Sequence, residues 1–216
     1  MTGTNSITSD ISHEFQYLIE KARSLGASEA KVILTSDIVV ENRVALKCRT
    51  GCIGYGKKLT CPPYVPTPEE FRKILSEYTY ALLVGFISPA HADEDVICSI
   101  YRYWLDPKAP ADKKEKATQF WTDHFNGTGS FAPVMLELER TAFNAGNALA
   151  LALINGSCRL CKTCNIKEGI CIHPTQARIP EHALGVNMIK TAEKAGMPIK
   201  FPVQGHPELR ALLLID

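Results

Sequence analysis

The hydrophobic and polar positions of this chain follow helical and strand periods in turn. Residues 11–25 carry apolar side chains close to helical period, and Gly26 is a plausible stop. Residues 30–40 are rich in Val and Ile and predict one strand or two short ones. The apolar runs at 80–87 and 209–215 predict two further strands, of which the first is of the buried type.

Helices are predicted between these strands. Thr67, Pro68 and Glu70 form an N-cap, first-position proline and capping-box pattern, which begins a helix that runs to about residue 77. Further helices are predicted at these places: residues 97–104, residues 113–125, residues 133–145 and residues 180–195, the last with Gly196 as its C-cap. Leucines alternate with alanines at 149–153, so the helix before them gives way to a strand.

Helices that alternate with strands predict an α/β or α+β fold with a small mixed sheet, flanking helices and two cysteine-rich metal-binding loops. We expect one domain over residues 1–216, with a helical, aromatic-rich insert at about 97–131 and a cysteine-rich loop at about 156–180. Core packing is the expected role of the aromatic insert. The segments before Cys48 and Cys158 both look like strands, so we expect both cysteine groups at one edge of the sheet.

Net charge and the lengths of the apolar stretches exclude some classes of protein. A net charge of +1 gives no indication of a nucleic-acid partner or of an anionic membrane surface. Residues 1–15 lack the pattern of a signal peptide, and the longest apolar stretch, at 148–154, is too short to span a membrane. We therefore expect a soluble cytoplasmic protein. In the cytoplasm, clustered cysteines are metal ligands more often than disulfides.

The later cysteine group has the spacing of an iron–sulfur site. Cys158, Cys161 and Cys164 follow one another at steps of three residues, and Cys171 comes shortly after. This spacing lets the backbone curl around a cubane cluster, with each thiolate on a different iron, so we expect Cys171 to complete the same cluster. Zinc is the alternative, although zinc more often takes its cysteines in separated pairs.

The earlier group offers three thiolates, Cys48, Cys52 and Cys61, in a predicted loop over residues 47–66. Two interpretations remain open. Either a fourth ligand comes from elsewhere, or one iron keeps an open site that binds substrate as a Lewis acid. Cys98 and His91 are candidates for the fourth ligand, but the apolar neighbours of Cys98 favour a buried structural thiol.

Basic residues surround both groups. Near the first group these residues are Arg43, Lys47, Arg49, Lys57 and Lys58, and near the second they are Arg159, Lys162, Lys167 and Arg178. Nearby cations would stabilise the negative charge of a reduced cluster and raise its potential. Ordinary solvation of a basic surface loop explains the same pattern, and the sequence leaves both interpretations open.

With both motifs laid out, the chain resembles a bacterial and archaeal family of predicted metal-binding proteins of unknown function. The resemblance covers most of the chain from about residue 40 onward. It rests on these residues: Cys48, Cys52, Tyr55, Gly56, Cys61, Pro62, Pro63, Pro66, Pro68, Glu69, Glu70, Cys158, Arg159, Cys161, Cys164, Cys171, His173, Pro174, Arg178, Gly185, Val186, Thr191 and Gly196. It implies a metal, iron–sulfur first, and an anaerobic prokaryotic setting, and it supplies no reaction.

The two cysteine motifs are compatible with three functions. The first is a redox accessory protein with two 4Fe–4S clusters, which would work with a redox partner protein or a small-molecule substrate. The second is an enzyme that uses an open-site cluster on Cys48, Cys52 and Cys61. The third is a zinc-stabilised interaction module. We expect neither a nucleic-acid nor a membrane partner for any of them.

Overall fold

A four-stranded antiparallel sheet lies at the centre of the computed structural model, which describes residues 14–91, 93–201, 203 and 205–216 and, in residues 127–130, the backbone alone. Its strands are β1 (Glu29–Leu34), β2 (Tyr80–Ile87), β3 (Leu151–Leu153) and β4 (Glu208–Ile215). Their order across the sheet is β1-β2-β4-β3. The central strands β2 and β4 are buried along almost their whole length. The sequence of β2 is apolar throughout, and that of β4 is apolar from Ala211 to Ile215.

The α+β class, the small sheet and the flanking helices are confirmed. Each strand pair in the described residues is antiparallel, whereas the sequence pattern indicated a mixed sheet. Alternating helices and strands are typical of parallel units, but a parallel pair needs a connection that crosses from one end of the sheet to the other. Here the connections from β1 to β2 and from β3 to β4 both return the chain to the end that it left.

Helices cover both faces of this sheet. They are α1 (Gln16–Ser24), α2 (Asn42–Gly51), α3 (Pro68–Leu75), α4 (Glu94–Ile97), α5 (Ile100–Leu105), α6 (Ala111–Asn144) and α7 (Met188–Lys194), with 3₁₀ turns at Thr35–Asp37 and Glu181–Leu184. Leu18 of α1 and Leu138 of α6 pack on one face, and Phe71 of α3 and Ala192 of α7 pack on the other. No described helix is both long and apolar enough to cross a membrane.

The aromatic insert forms a third hydrophobic cluster beside the sheet. Val96, Ile100, Ala117 and Phe120 are buried in it, and Trp104, Trp121 and Tyr103 pack around them. The expected core packing of this segment is therefore confirmed. One difference is that α6 runs on through Pro133, where two separate helices were predicted. Contacts to the insert cluster at one end of α6 and to the sheet at the other outweigh the local cost of the proline.

The predicted cap of α3 is confirmed. The Thr67 hydroxyl oxygen accepts the Glu70 backbone N–H at 3.3 Å, and the Glu70 carboxylate accepts the Thr67 backbone N–H at 2.7 Å. Pro68 stands at the first helical position, where its missing N–H costs nothing. This reciprocal cap fixes the point at which the chain leaves the first cysteine group and enters the helix.

One return segment, residues 179–187, anchors the chain beside both cysteine groups. Val40 pairs with Val186 just before α2, and Ile154 pairs with Pro180 just before the second group. The Glu41 N–H donates to the Gly185 carbonyl at 2.8 Å. The cysteines lie more than ninety residues apart in the sequence, and this shared anchor is what brings their loops to one region of the fold.

Replacing Gly185 by Ala should destabilise this anchor strongly. Gly185 has φ +86°, and an added Cβ would lie 2.7 Å from Pro68 side-chain atoms and 3.2 Å from the Glu41 carbonyl oxygen. Left-handed strain and overpacking together should lower the free energy of unfolding by about 2–5 kcal/mol. Gly26→Ala is the matched control, because Gly26 has φ +93° with open space around it, and should lose only the strain, about 1–2 kcal/mol. Equal losses in urea denaturation would show that the contact with Pro68 does not matter.

Candidate metal centre

The second cysteine group lies in a loop whose base is closed by backbone hydrogen bonds. Ile154 follows β3 and donates its N–H to the Ile179 carbonyl at 3.1 Å, and Glu181 donates back to the Ile154 carbonyl at 3.3 Å. Between these positions the chain forms neither helix nor strand. The sheet thus holds the two ends of the loop, and the four cysteines lie between them.

The four thiols of this loop are electrostatic neighbours. Desolvation raises the pKa of Cys161, and the next causes are the charges of Cys164, Cys158 and Cys171. The backbone N–H of His173 donates to the Cys171 sulfur at 3.4 Å. Such N–H donors stabilise negative charge on thiolate sulfur, as a bound cluster requires.

The first cysteine group differs from its predicted form, because Cys48 lies in the last turn of α2 and not in a loop. Residues 42–50 keep a helical pattern with good helix formers, and the prediction of a loop over 47–66 was wrong for its first turn. Cys48 and Cys61 are buried, whereas Cys52, the C-cap of α2, is exposed. The helix therefore fixes the position of Cys48, and the irregular segment after the helix carries Cys52 and Cys61.

Two sulfurs of the first group lie against one point of backbone. An atom added as a Cβ on Gly54 would lie 3.6 Å from the Cys52 sulfur and 3.8 Å from the Cys61 sulfur. The Gly54 N–H also donates to the Cys52 sulfur at 3.4 Å. A glycine here leaves the space on that side of both sulfurs open, which suits a bulky inorganic group.

Burial controls the protonation of these thiols. Desolvation raises the pKa of Cys61 to about 11, with the charge of Cys52 as the next cause, and the same two effects raise the pKa of Cys48. Without metal, the thiols of Cys61 and Cys48 are therefore protonated at neutral pH. Metal binding must release their protons, so loading of this site should be favoured at higher pH.

Neither candidate for a fourth ligand joins the first group. Cys98 is exposed, so the expectation of a buried structural thiol was wrong; Val96 fills the hydrophobic cluster in its place. His91 pairs with Asp93 at 3.1 Å and stands edge-on to the ring of His206. Among the described residues, no hydrogen bond or ion pair connects Cys98 or His91 to the three thiols.

The two cysteine groups are in direct contact. The backbone N–H of Leu59, from the first loop, donates to the sulfur of Cys164 at 3.4 Å. Lys58 donates to the backbone carbonyl of Cys158 and to the Ser157 hydroxyl. We expected the groups to meet because a strand precedes each, and that reason fails for Cys48, which lies within helix α2. The return segment and these contacts bring the loops together instead.

A largely buried ion pair supports the base of the second loop. Arg178, near the end of the loop, donates through Nε to Glu139 of α6 at 2.8 Å and makes a second contact through its terminal nitrogen. Glu139 also accepts the backbone N–H of Ala152 in β3 at 2.7 Å. Arg178 belonged to the sequence motif, but Glu139 was missed, because a lone acidic residue on a long helix carries no local signal of its partner.

His124 lines a cavity of about 810 Å³ whose wall also contains Glu139 and Arg178 of this ion pair, together with Cys158 and Arg159. Burial, and next the charge of Arg159, lowers the pKa of His124 to about 4. The unfolded chain takes up the proton near pH 6.5, so stability contributed by the neutral imidazole is lost as the pH falls from about 6.5 toward 4.

At pH 5 this loss should amount to about 2 kcal/mol relative to pH 7.5. His124→Gln should remove that share of the pH dependence, measured as the difference between variant and wild-type unfolding curves at the two pH values. His91→Gln is the control, since His91 is exposed. If His124→Gln and His91→Gln give the same curves, burial of His124 has no part in the acid sensitivity.

The donor set suits iron–sulfur chemistry or zinc. Thiolates are soft ligands that select iron–sulfur clusters, zinc or copper(I) over hard cations. Seven of the eight cysteines belong to the two contacting groups. As the side chains stand, no set of three or more His, Cys, Asp or Glu in the described part of the chain is arranged around a position for a metal ion.

Comparison with known proteins places the chain in a family. The model of a family described as "Predicted metal-binding protein (DUF2284)" matches residues 31–215, a span that contains all eight cysteines. Neither the curated proteins nor the solved structures gave a significant match. The match confirms the resemblance that the two cysteine motifs indicated: the chain belongs to the DUF2284 family of predicted metal-binding proteins.

Proposed function

We propose that this protein carries two 4Fe–4S clusters and passes electrons in anaerobic cytoplasmic metabolism, to a redox partner protein or a small-molecule substrate. The observation that carries the proposal is the contact between the loops, in which the Leu59 N–H donates to the Cys164 sulfur. Two clusters held on loops in contact would lie close enough for electrons to pass between them. Cys158, Cys161, Cys164 and Cys171 would hold one cluster, and Cys48, Cys52 and Cys61 the other.

When bound, each cluster supplies one-electron exchange at a potential that its surroundings set. The chain's own residues would tune that potential in a defined direction. The Leu59 and His173 N–H groups donate to ligand sulfurs of the second loop, and the Lys58 ammonium lies against the Cys158 carbonyl. These donors and this cation favour the more negative, reduced state and raise the potential of the second cluster.

Replacing Lys58 by Gln should therefore lower the reduction potential of the second cluster. The change removes a positive charge at the junction of the loops while it keeps a hydrogen-bond donor. Lys167→Gln removes a charge from the second loop itself, but Lys167 has no contact with Cys158 among those described, and it should shift the potential less. A spectroscopic redox titration measures both; a shift of the same size in the two variants would refute a specific role of Lys58.

An open-site enzyme is the second candidate, and one observation favours it. The described contacts bring no further Cys or His side chain to Cys48, Cys52 and Cys61, since Cys98 and His91 have other surroundings. A cavity of about 390 Å³ has Tyr55 and Pro62 of the same segment in its wall, and none of the three cysteines lines it. An iron with only three protein ligands could bind a substrate and act as a Lewis acid.

Anaerobic purification followed by iron, sulfide and zinc analysis tests these proposals together. About eight irons per chain with matching sulfide would support two 4Fe–4S clusters. Cluster EPR signals that change on addition of small ligands such as cyanide would favour the open site. Stoichiometric zinc without sulfide would overturn both iron proposals and leave the interaction module.

A further inference from the structure

A third cavity lies between the two cysteine loops, with cationic side chains in its wall. Its volume is about 680 Å³, within the range of small-molecule sites. Its lining includes Ile53 and Gly54 of the first loop, Cys161 and Cys164 of the second, and Trp104 and Phe125 of the aromatic insert. Both loops and the aromatic insert thus contribute to one recess, with two cysteines in its wall.

Four of the residues that line this recess are cationic, and none of the lining residues is acidic. They are Lys57, Lys58, Arg159 and Lys162. Within the described residues, none of the four has an Asp or Glu partner at salt-bridge distance; Lys58 is directed to a carbonyl and a hydroxyl. Like charges that face one recess repel each other, and in a concave wall their field adds. A bound anion would relieve that repulsion.

Arg159 is positioned for such an anion. Its guanidinium carbon lies 3.4 Å from the centre of the Phe125 ring, and the residue is an exposed part of the wall of the recess. Stacking fixes the plane of the guanidinium, and the edge of that plane carries the N–H groups. Such an edge matches two oxygens of a carboxylate or phosphate group. Trp104 offers an apolar surface in the same recess for the remainder of a ligand.

We propose that this recess binds a small organic anion, with its carboxylate or phosphate group on Arg159 and the lysines and its apolar part toward Trp104. The inference deepens the proposed function, on which it rests for the role of the ligand: an anion there would be a small-molecule substrate beside Cys161 and Cys164 of the second cluster. The concave shape favours a small molecule over an acidic protein surface.

Anaerobic calorimetric titration of the holoprotein with benzoate, phenyl phosphate and neutral benzamide tests this inference. At least one of the two anions should bind, benzamide should not, and added salt should weaken the binding. Arg159→Gln should weaken it by about tenfold or more, since a charge-assisted bidentate contact is lost. Lys57→Gln is a second test variant, because Lys57 lines the recess and is not adjacent to any cysteine. Lys167→Gln, which removes a charge from the loop but not from the recess, should bind as wild type.

Each outcome decides the question. No binding of either anion, equal binding of benzamide, or equal effects of Arg159→Gln and Lys167→Gln would overturn the inference. An acidic peptide that binds where both small anions fail would show a docking surface for protein instead. Iron and sulfide are measured on the same samples, so that anion binding without iron would refute the proposed function alone, and iron without anion binding would refute this inference alone.

Discussion

Replacing Cys158 by Ala should lower the iron content of the anaerobically purified protein from about eight to about four atoms per chain. In the proposed two-cluster arrangement Cys158 would be one of four thiolate ligands of the second cluster, and without it that cluster would lose one iron–thiolate bond. Cys48→Ala should remove the other half of the iron, because Cys48 is a buried thiol of the separate three-cysteine group. Iron and sulfide analysis measures both losses.

Cys98→Ala is the matched control for these two variants. Cys98 is exposed at the end of α4, and no described contact connects it to either cysteine group, so its replacement should leave all iron in place. Complete loss of iron from either Cys158→Ala or Cys48→Ala would contradict two independent clusters and indicate one shared site. Loss from Cys98→Ala would identify it as the missing fourth ligand of the first group.

Replacing Glu139 by Gln should lower the free energy of unfolding by about 3 kcal/mol. The change leaves the largely buried Arg178 charge without its partner and weakens the hydrogen bond from Ala152 in β3. Arg178 lies at the end of the second loop, so loss of its partner should also loosen the base of that loop. The bound cluster should then be lost faster on mild heating. Urea denaturation measures the first effect, and the decay of cluster absorbance measures the second.

Glu137→Gln provides the comparison on the same helix. Glu137 pairs with Lys21 and Arg140 nearer the surface, where ion pairs contribute less than about 1 kcal/mol. The double change Glu139→Leu with Arg178→Met should recover much of the stability, since it leaves no buried charge unpaired. If Glu139→Gln is no worse than Glu137→Gln, the pair does not support the loop.

Local signals predicted the parts of the fold that depend on neighbouring residues. The cap of α3 follows from the spacing of Thr67 and Glu70 alone. The buried strands β2 and β4 follow from their apolar runs, which in β4 begin after Arg210. The end of α5 at Leu105 agrees with the predicted end of a helix at about residue 104, but the break between α4 and α5 inside that predicted helix was missed.

Features that depend on distant partners were not predictable. Pro133 predicts a helix start, but packing on both sides of it keeps α6 continuous. Cys98 has apolar neighbours in the sequence and is still exposed, because α4 turns Val96 inward. The cysteine spacings predicted two metal-binding loops, yet neither spacing contains the Leu59–Cys164 contact. That contact depends on the anchor at residues 179–187, which only the folded chain reveals.

EPR of the fully reduced holoprotein shows whether two iron–sulfur clusters lie side by side on the contacting loops. The comparison is Cys48→Ala, which should keep the second cluster alone. We predict a broadened spectrum with spin–spin splitting in the wild type and a simple single-cluster signal in the variant. Two independent signals that add without interaction would contradict the arrangement, and a protein with zinc and no reducible signal would contradict the clusters themselves.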